Sequence, residues 1–532
     1  MASQLLMERK EKKMKTPLRR YLPQADAYVD STNGESSLAE LVITHGGPYF
    51  RKFAIWLRSH LWLLLLGVTS ELVYFFYLLR TFPLMHDYYH LDTMGGIAGY
   101  THTGFLTYLM AFSLLFVLFG FAWWETRRFQ DRATLWIILG FGGIFGVTNT
   151  LVYPVIAIDL FNYIVQSLVL VQYHANPIVT PPGHFPKDPL MHLAGGYFNV
   201  PSPYGPLGQL IDSLPVAIGG RNILASLLLL KLMFSAMLMI SAFFIYKILS
   251  LIAPRFALPG ALALAWNPFA LFEYSANGHN DIAMTLFIIL AVLALTKEHH
   301  VWVLMLLTAS ALVKFSSLPL IPLFFIYSFN HHPTIKKRII YIIESILAFS
   351  GLILAIWGPF WAGPQTFQYL LSITQSRLYS FSMLLNDFSS SRISFDQAKT
   401  IGWALFGVCF LYAMRLSPRD FLSLLKGCYI TMFALLAFSA TYVQPWYLIW
   451  PLVFAILIPQ TNVSLAVILF SYSANLAEIG PAYIFAWGLP LNASSIVNSF
   501  FYLIIFFAPT LFLLVSRFHQ IFSQPSSLPH QE

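Results

Sequence analysis

Long apolar runs alternate with short polar segments along almost the whole chain, and this pattern predicts an all-α polytopic membrane protein. Crossing a bilayer as a helix takes about 20 apolar residues. Several runs are shorter, and those beside Lys314 and Gln444–Trp446 are candidates for broken helices, so we expect about 12 to 14 transmembrane helices. The runs are Leu61–Leu79, Phe105–Trp124, Thr134–Ile158, Ile223–Ile248, Leu258–Tyr274, Ile282–Leu295, Val301–Val313, Leu318–Phe329, Ile339–Trp361, Ile401–Met414, Phe421–Ala440, Trp446–Ile458, Leu465–Ile484 and Asn498–Val515.

The largest polar interruption runs from Asp159 to Gly208. Eight of the 31 prolines of the chain lie in it, between Pro177 and Pro206. A membrane protein has little reason to hold so much turn-rich polar sequence beside the bilayer unless something binds there. We therefore expect a large loop at 159–222, containing short interfacial helices, that forms one wall of an active site with Asp159 at its rim.

Lysine and arginine residues set the predicted orientation, because cytoplasmic connections carry an excess of them. The segment 1–58 is basic, and alternate connections after it are also basic, whereas 159–222 and 362–400 are poorer in positive charge for their length. Both termini are therefore predicted to be cytoplasmic and the active site extracytoplasmic. The residues that this orientation brings to one outer face are Asp159, the turn Gly278–Asp281, Lys314 and Tyr442–Trp446.

Composition agrees with a membrane protein and narrows its chemistry. The chain is 57% apolar and 10% charged, whereas soluble domains carry about 25% charged residues. The net charge of +8 is spread over clusters between apolar runs, so it does not indicate nucleic-acid binding. Two cysteines in apolar runs give neither a disulfide framework nor zinc-like spacing. No P-loop, GxGxxG, HExxH or nucleophile-elbow motif is present, so an outer-face transferase would need a lipid-carried donor.

Asp159 directly follows an apolar run, and its position has two interpretations. Partial removal from water would raise its basicity, which suits a general base. Alternatively, it caps the helix predicted for the residues that follow it, by accepting a backbone N–H. Taken alone, the position supports the cap at least as well as the base, and the two roles are compatible.

Three further polar groups crowd the short turn before an apolar run: His279, Asn280 and Asp281. Asp281 as a helix cap is the simple account, but a histidine beside it suggests a donor to an anionic group. Lys231 and Lys314 lie in or beside apolar runs. Ionisable groups at membrane depth are costly and mark functional sites, so we expect Lys314 to bind phosphate, and Lys231 to face a cavity or a partner such as Glu344.

Two rigid aromatic segments lie on the predicted outer side, around Tyr204 and at Gln444-Pro445-Trp446-Tyr447. An interfacial aromatic belt explains Trp446, Tyr447 and Trp450 without a ligand. Aromatic faces near carboxylates and amides would equally suit a sugar.

Together these motifs resemble those of the GT-C glycosyltransferases, multi-spanning enzymes that use polyprenyl-phosphate sugars. The chain is most similar to the polyprenol-phosphate-mannose-dependent alpha-(1,6)-mannosyltransferases of bacterial envelopes, over roughly residues 135 to 460. The matching residues are Asp159, Tyr163 and Gln166; Asn176-Pro177; Ser202-Pro203-Tyr204-Gly205-Pro206-Leu207; Trp266-Asn267-Pro268; Gly278-His279-Asn280-Asp281; Leu312-Val313-Lys314; and Gln444-Pro445-Trp446-Tyr447.

The resemblance implies that Asp159 activates the acceptor hydroxyl in a direct, inverting displacement. It also implies a donor phosphate and sugar site at His279, Asn280, Asp281, Lys314 and Lys231. We expect acceptor or sugar contacts from Tyr163, Asn176, Tyr204, Gln444, Trp446 and Tyr447. The implied partners are a polyprenyl-phosphate sugar donor, a glycan or glycolipid acceptor and membrane lipids, but no nucleic acid. No cofactor is required, since cationic side chains can neutralise the phosphate, although Asp159 with Asp281 could hold a divalent cation.

The resemblance also suggests how the chain is organised into segments. The sequence departs from the pattern of the family at two points. Two apolar runs precede the motif-bearing loop where a minimal GT-C core has one, and the bulky sequence after Asp159 leaves the acceptor open. The predicted segments are a basic cytoplasmic tail (1–58), two additional transmembrane helices (59–133), the GT-C catalytic module with outer loop 159–222 (134–360), C-terminal transmembrane helices with outer loop 362–400 (361–516) and a cytoplasmic tail (517–532).

Two other classes share the predicted spans. A lipid or solute transporter or flippase would also have buried lysines and an outer-facing cavity, but it rarely needs a loop like 159–208, and the chain shows no repeat symmetry. A non-catalytic membrane assembly factor would use the same loops to contact a protein partner, and it would tolerate Asp159→Asn.

Overall fold

The computed structural model describes residues 48–89, 91, 94–156, 159–366, 380–487, 502–506, 510–513 and 515. Most of the predicted N-terminal tail (1–47), the C-terminal tail (517–532), part of the predicted loop 362–400 (367–379) and much of the last apolar run lie outside the described residues. Residues up to Ser59 and from His60 onward form two compact units. The first is described only as the helical residues 48–59, and the site below lies within the second.

The described residues form helices joined by short connections, without a named β-strand. The α-helices are α1 (Pro48–Val73), α2 (Leu84–Asp87), α3 (Met94–Ala98), α4 (His102–Thr126), α5 (Arg132–Thr150), α6 (Asp159–Val171), α7 (Pro206–Gly219), α8 (Ile223–Ile252), α9 (Ala257–Ala265), α10 (Pro268–Leu271), α11 (Asp281–Thr296), α12 (His300–Val313), α13 (Leu320–His331), α14 (Ile335–Trp357), α15 (Phe381–Phe388), α16 (Phe395–Leu416), α17 (Phe421–Ala434), α18 (Ile449–Leu457) and α19 (Thr461–Ala486). The π-helical turns are Tyr74–Leu79, Phe272–Ala276 and Leu435–Ser439, and the 3₁₀ turns are Pro182–His184, Pro189–Tyr197, Pro254–Phe256, Phe315–Ser317, Gly358–Phe360 and Pro445–Leu448.

Within the described ranges, seven helices are long and apolar enough to cross a membrane. Six shorter apolar helices accompany them, among them α6, α11 and α12. The chain is therefore an all-α polytopic membrane protein, as the apolar pattern predicts. The helix breaks that we expected beside Lys314 and Gln444 are confirmed: α12 ends at Val313, Lys314 is extended, and the chain is non-helical between Ala440 and Gln444.

The third apolar run is not one helix, contrary to the predicted span Thr134–Ile158. Helix α5 ends at Thr150, because Pro154 disfavours a helical conformation in the residue before it. The chain then pairs locally, with the Leu84 N–H donating to the Leu151 carbonyl and the Tyr153 N–H donating to the Phe82 carbonyl. Asp159 consequently opens a separate helix, α6.

The fifth apolar run is also broken, at Trp266-Asn267-Pro268. The Asn267 side chain accepts the Phe269 N–H at 3.1 Å, and Pro268 occupies the first position of α10, where its missing N–H costs nothing. A π-helical turn, Phe272–Ala276, follows. Such turns are rare and often lie at functional sites, and this one brings Glu273 and the turn after it to the candidate site.

The segment 159–222 folds into the predicted short helices, and a polar cluster ties it down. Both guanidinium Nη atoms of Arg221 donate to the Asp188 carboxylate at 2.8 Å, and the Tyr173 hydroxyl donates to it at 2.8 Å. Helix α6 packs against α7 and α8. The loop is therefore a folded layer over the ends of the long helices.

Candidate active site

Asp159 is the first residue of α6, and its side chain is 15% exposed. Along the chain it comes between the membrane spans α5 and α8, at the start of the folded loop. Burial raises the pKa of the Asp159 carboxyl, while the charges of His279 and Lys314 oppose that rise. The result is a carboxylate that is more basic than usual and keeps an opening to solvent.

The turn that carries His279 is held against the start of α6 by a glycine. Gly278 has φ +74°, a conformation that side chains rarely adopt, and a Cβ there would lie 2.9 Å from Leu160 Cδ1. The same Cβ would lie 3.4 Å from Lys231 Cγ. Gly278 therefore permits both the reversal of the chain and the close approach of the turn to α6 and α8.

His279 is fully buried between two carboxylates. Its Nδ1 lies 3.9 Å from Asp159 Oδ2, and its Nε2 lies 3.4 Å from Glu273 Oε2. The imidazole also stacks on the Trp446 indole, with ring centroids 3.8 Å apart and planes inclined by 12°. Neither ring nitrogen has a hydrogen-bond partner among the described residues, so the ring lies between Glu273 and Asp159 and is held there by burial and by its stacking on Trp446.

Lys314 lies in an aromatic cage beside Asp281. Its Nζ donates to Asp281 Oδ1 at 2.8 Å, and it lies 4.3, 5.5 and 5.8 Å from the ring centroids of Tyr447, Trp450 and Tyr204. These distances are within the range of cation–π attraction. The lysine side chain is 16% exposed while Asp281 is fully buried, so the ammonium faces the opening of the site.

Asp281 was predicted as either a helix cap or a donor-site residue. It is the first residue of α11, and its Oδ1 accepts both the Lys314 ammonium and the Trp450 indole N–H, the latter at 2.7 Å. Its carboxylate therefore positions Lys314.

Two close backbone approaches fix the position of Lys314. The Gly205 N–H donates to the Val313 carbonyl at 3.0 Å. A Cβ on Gly205 would collide with the Leu312 carbonyl, and one on Gly208 would lie 2.9 Å from the Val313 carbonyl oxygen. The proline-bounded turn before α7 thus packs directly against the end of α12, next to the lysine.

Tyr163 and Tyr204 form an edge-to-face pair, with centroids 5.1 Å apart and hydroxyls 3.3 Å apart. Asn280, at the turn before α11, donates to Asp212 Oδ2 at 3.1 Å. Burial raises the pKa of Asp212, which lies on the loop helix α7, to about 7. Asn280 is therefore hydrogen-bonded to a carboxyl group that titrates near neutral pH.

Three predicted site residues have structural partners. Lys231 is fully buried and donates to the Val152 carbonyl, whereas Glu344, the partner that we suggested for it, is exposed on α14. Asn176 donates to the Phe360 carbonyl at 2.7 Å and accepts the Ile178 N–H at 3.0 Å, so it ties the loop to the 3₁₀ turn Gly358–Phe360 that follows α14. Gln444 donates to the Tyr442 hydroxyl. The structure does not test their predicted roles as ligand contacts.

Sequence reasoning missed Glu273, Asp212 and the role of Trp450. Glu273 is fully buried in an apolar run, and the rule that marked the two lysines, that ionisable residues in such runs are functional, would have marked it too. Asp212 gave no such signal, because it lies in the predicted loop 159–222, where a carboxylate is ordinary. Trp450 was ascribed to the aromatic belt, and only the fold shows its indole bonded to Asp281.

No group of three or more His, Cys, Asp or Glu side chains is arranged to hold a metal ion in the part of the chain that the structure describes. We suggested Asp159 with Asp281 as a possible pair of ligands. The Lys314 ammonium already provides a positive charge at Asp281 Oδ1.

Comparison with known proteins identifies the chemistry. The family model described as alpha-(1->6)-mannopyranosyltransferase, N-terminal domain, matches residues 66–330. No curated protein matches the chain. The matched range contains Asp159, the turn at Gly278–Asp281 and Lys314, whereas Gln444–Tyr447 lie beyond it. The mannosyltransferase family supports an enzyme over a transporter, and it implies a sugar donor and a glycan acceptor. Over residues 66–330 the chain matches this mannosyltransferase domain, and it is a membrane-embedded glycosyltransferase.

Proposed function

We propose that the enzyme transfers mannose from a polyprenyl-phosphate donor to a hydroxyl of a glycan or glycolipid acceptor, with inversion, on the extracytoplasmic face. The observation that carries this proposal is the presence of Asp159 and Lys314 in one site. One is a buried carboxylate of raised pKa and the other an ammonium caged by aromatic rings. These are the two charges that a displacement at a sugar phosphate needs.

Asp159 acts as the general base in this mechanism. It takes the proton of the acceptor hydroxyl as the acceptor oxygen forms its bond to the anomeric carbon. The bond between that carbon and the phosphate oxygen breaks, and polyprenyl phosphate leaves with the bonding electrons. The raised pKa of Asp159 suits this step, since a base works best when its pKa approaches the operating pH.

Lys314 stabilises the leaving phosphate. Its exposed edge retains N–H groups beyond the one that bonds Asp281, and the cage of Tyr204, Tyr447 and Trp450 holds the ammonium in place before substrate arrives. A fixed charge aimed at the developing anion lowers the barrier without reorganisation during the reaction. The aromatic faces of the same cage offer surfaces for the sugar and the isoprenoid.

We assign His279 to positioning Asp159. The ring lies between Asp159 and Glu273, so donation to a phosphate, the role that the sequence suggested, would require a rearrangement. Tyr163 and Tyr204 contact each other through their rings and hydroxyls and are candidates for contact with the acceptor or sugar. We propose no metal requirement, because Lys314 provides the charge that a divalent cation would supply.

Purified protein in proteoliposomes would test the assignment, with radiolabelled polyprenyl-phosphate mannose and a membrane glycolipid extract as acceptor. Asp159→Asn should lower the transfer rate by about 10² to 10⁴-fold while donor binding stays near that of the wild type. Asp396→Asn, a change at an exposed carboxylate in the first turn of α16, is the matched control. Retention of more than a few per cent of the activity by Asp159→Asn would exclude Asp159 as the base.

A further inference from the structure

A cavity of about 700 Å³ lies at the opposite end of the helices that carry the candidate active site. Helix α5 starts at the cavity with Arg132 and ends before the segment that leads to Asp159. Helix α8 carries Lys231 beside the active-site turn and Lys247 at the cavity, 16 residues later, or about 24 Å along the helix. Helix α11 runs in the same direction, from Asp281 to the cavity residue Lys297.

The cavity combines a cationic rim with an apolar wall. Arg132, Lys247 and Lys297 come from three different helices or their ends, and no acidic residue is among the lining residues. Most of the remaining wall is aliphatic or aromatic and includes Trp136 and Leu251. Trp136 is 66% exposed and Leu251 is 62% exposed, so the apolar wall opens outward from the helix bundle, toward where bilayer lipid would lie.

Scattered basic residues at helix ends need no ligand, because cytoplasmic connections are commonly basic. Here, however, three basic side chains line the same cavity, whose other walls are apolar, and general basicity of cytoplasmic connections does not explain that arrangement. Like charges that share a cavity repel one another, and an anion would relieve that repulsion. Lys247 already lies 5.3 Å from the Phe243 ring centroid, a contact that keeps the ammonium close to the apolar wall.

We propose that this cavity binds an anionic phospholipid of the leaflet opposite the active site. The headgroup phosphate would lie among Arg132, Lys247 and Lys297, and an acyl chain would lie along Trp136 and Leu251. Basic pockets between membrane helices are known to favour anionic headgroups. A lipid fits better than a soluble anion because the exposed apolar wall requires an apolar partner.

Fluorescence quenching by lipids brominated on their acyl chains tests the proposal in nanodiscs. The signal of Trp136 is the difference between wild type and Trp136→Phe. We expect brominated phosphatidylglycerol, present as a minor fraction in phosphatidylcholine, to quench this signal about ten-fold more effectively than an equal fraction of brominated phosphatidylcholine. Arg132→Gln/Lys247→Gln/Lys297→Gln should abolish that preference. Lys336→Gln/Lys337→Gln/Arg419→Gln, which removes three basic charges outside the cavity, should retain it.

Equal quenching by the two lipids would overturn the proposal, as would a preference that survives the cavity variant. Loss of the preference in millimolar inorganic phosphate would show a soluble-anion site instead. Native mass spectrometry gives a second measurement that does not need Trp136: phosphatidylglycerol should remain bound to the wild type and to the control variant, but not to the cavity variant. These outcomes are independent of the transfer reaction, so failure here would leave the proposed function untouched.

Discussion

Replacing His279 by glutamine tests whether this buried ring controls the basicity of Asp159. His279 Nδ1 lies 3.9 Å from Asp159 Oδ2, and the charge of His279 lowers the pKa of Asp159 against the rise caused by burial. Glutamine keeps a polar side chain of similar reach but carries no charge. The variant should therefore raise the pKa of Asp159 further.

The distance sets the scale of this effect. A full charge at 3.9 Å interacts by about 4 kcal/mol at an effective dielectric constant of about 20, which corresponds to about 3 pH units as an upper limit. The glutamine amide can still donate toward the carboxylate, and water can enter the space that the ring leaves. We therefore expect the acidic limb of the pH profile to move upward by about 1 unit. The direction follows because a base is active only when deprotonated.

The assay is kcat/KM for mannose transfer across roughly pH 5 to 9, which reports the pKa values of the free enzyme. His192→Gln is the matched control, since His192 is exposed, stacks on Phe198 at 4.8 Å between centroids, and is not among the groups that shift the pKa of Asp159. An unchanged acidic limb in His279→Gln, with activity reduced equally at every pH, would refute the positioning role. A rise in donor KM alone would restore the phosphate-binding role that the sequence suggested.

Four other outcomes follow from the structure. Lys314→Gln should lower kcat/KM by about 10² to 10³-fold by removing the charge that faces the leaving phosphate, whereas Lys187→Gln on the loop surface should not; equal effects of the two variants would contradict the assignment. Asp212 has a pKa of about 7, so it gains negative charge as the pH rises through 7. The KM for the donor should therefore rise above that pH in the wild type and stay constant in Asp212→Asn. If the KM of both proteins changed with pH in the same way, Asp212 would not be the group responsible. Arg221 lowers the pKa of Asp188 to about 2, so their pairing stabilises the loop fully above about pH 4 and the benefit is lost as the pH falls through 2. Asp188→Asn should therefore lower the stability of the loop by about 1 kcal/mol at neutral pH, a small effect because Arg221 is half exposed. Faster limited proteolysis of the loop would detect this loss. Near pH 3 the stabilities of the variant and the wild type should differ less. Finally, chelation by EDTA should leave transfer unchanged, and recovery by added Mg²⁺ or Mn²⁺ after a loss would establish a metal requirement.

The membrane helices follow closely from the sequence because their apolar stretches are long. The predicted run Ile223–Ile248 and the helix Ile223–Ile252 share their first residue. The helix break at Lys314 could also be predicted, since this charged residue separates two short apolar runs. Pro154 indicated a break in the third apolar run, but the sequence did not show that α5 ends as early as Thr150. The residues after it are as apolar as those before it, and their local pairing with 82–84 depends on tertiary structure.

The composition of the site was partly predictable, but the pairing of its charges was not. Asp159, His279 and Lys314 stand out as polar residues beside apolar runs, and the structure brings them together. Which charge faces which depends on backbone geometry: the π-helical turn at Phe272–Ala276 places Glu273 against His279. A π-helical turn has no sequence signature comparable to hydrophobic periodicity, so this pairing could not be derived from spacing.

The balance of charge around the site explains why its carboxylates must be shielded. Asp159, Glu273, Asp281 and Asp212 outnumber the cations beside them, and an unshielded set would repel a phosphate donor. The structure reduces this repulsion by pairing Asp281 with Lys314 and by placing His279 between Asp159 and Glu273. Burial further favours the neutral forms of Asp159 and Asp212. Donor binding therefore benefits from the neutral carboxyl of Asp212, whereas catalysis needs the charged carboxylate of Asp159. Because these two requirements oppose each other as pH changes, we expect kcat/KM to pass through a maximum, and its alkaline side should flatten in Asp212→Asn.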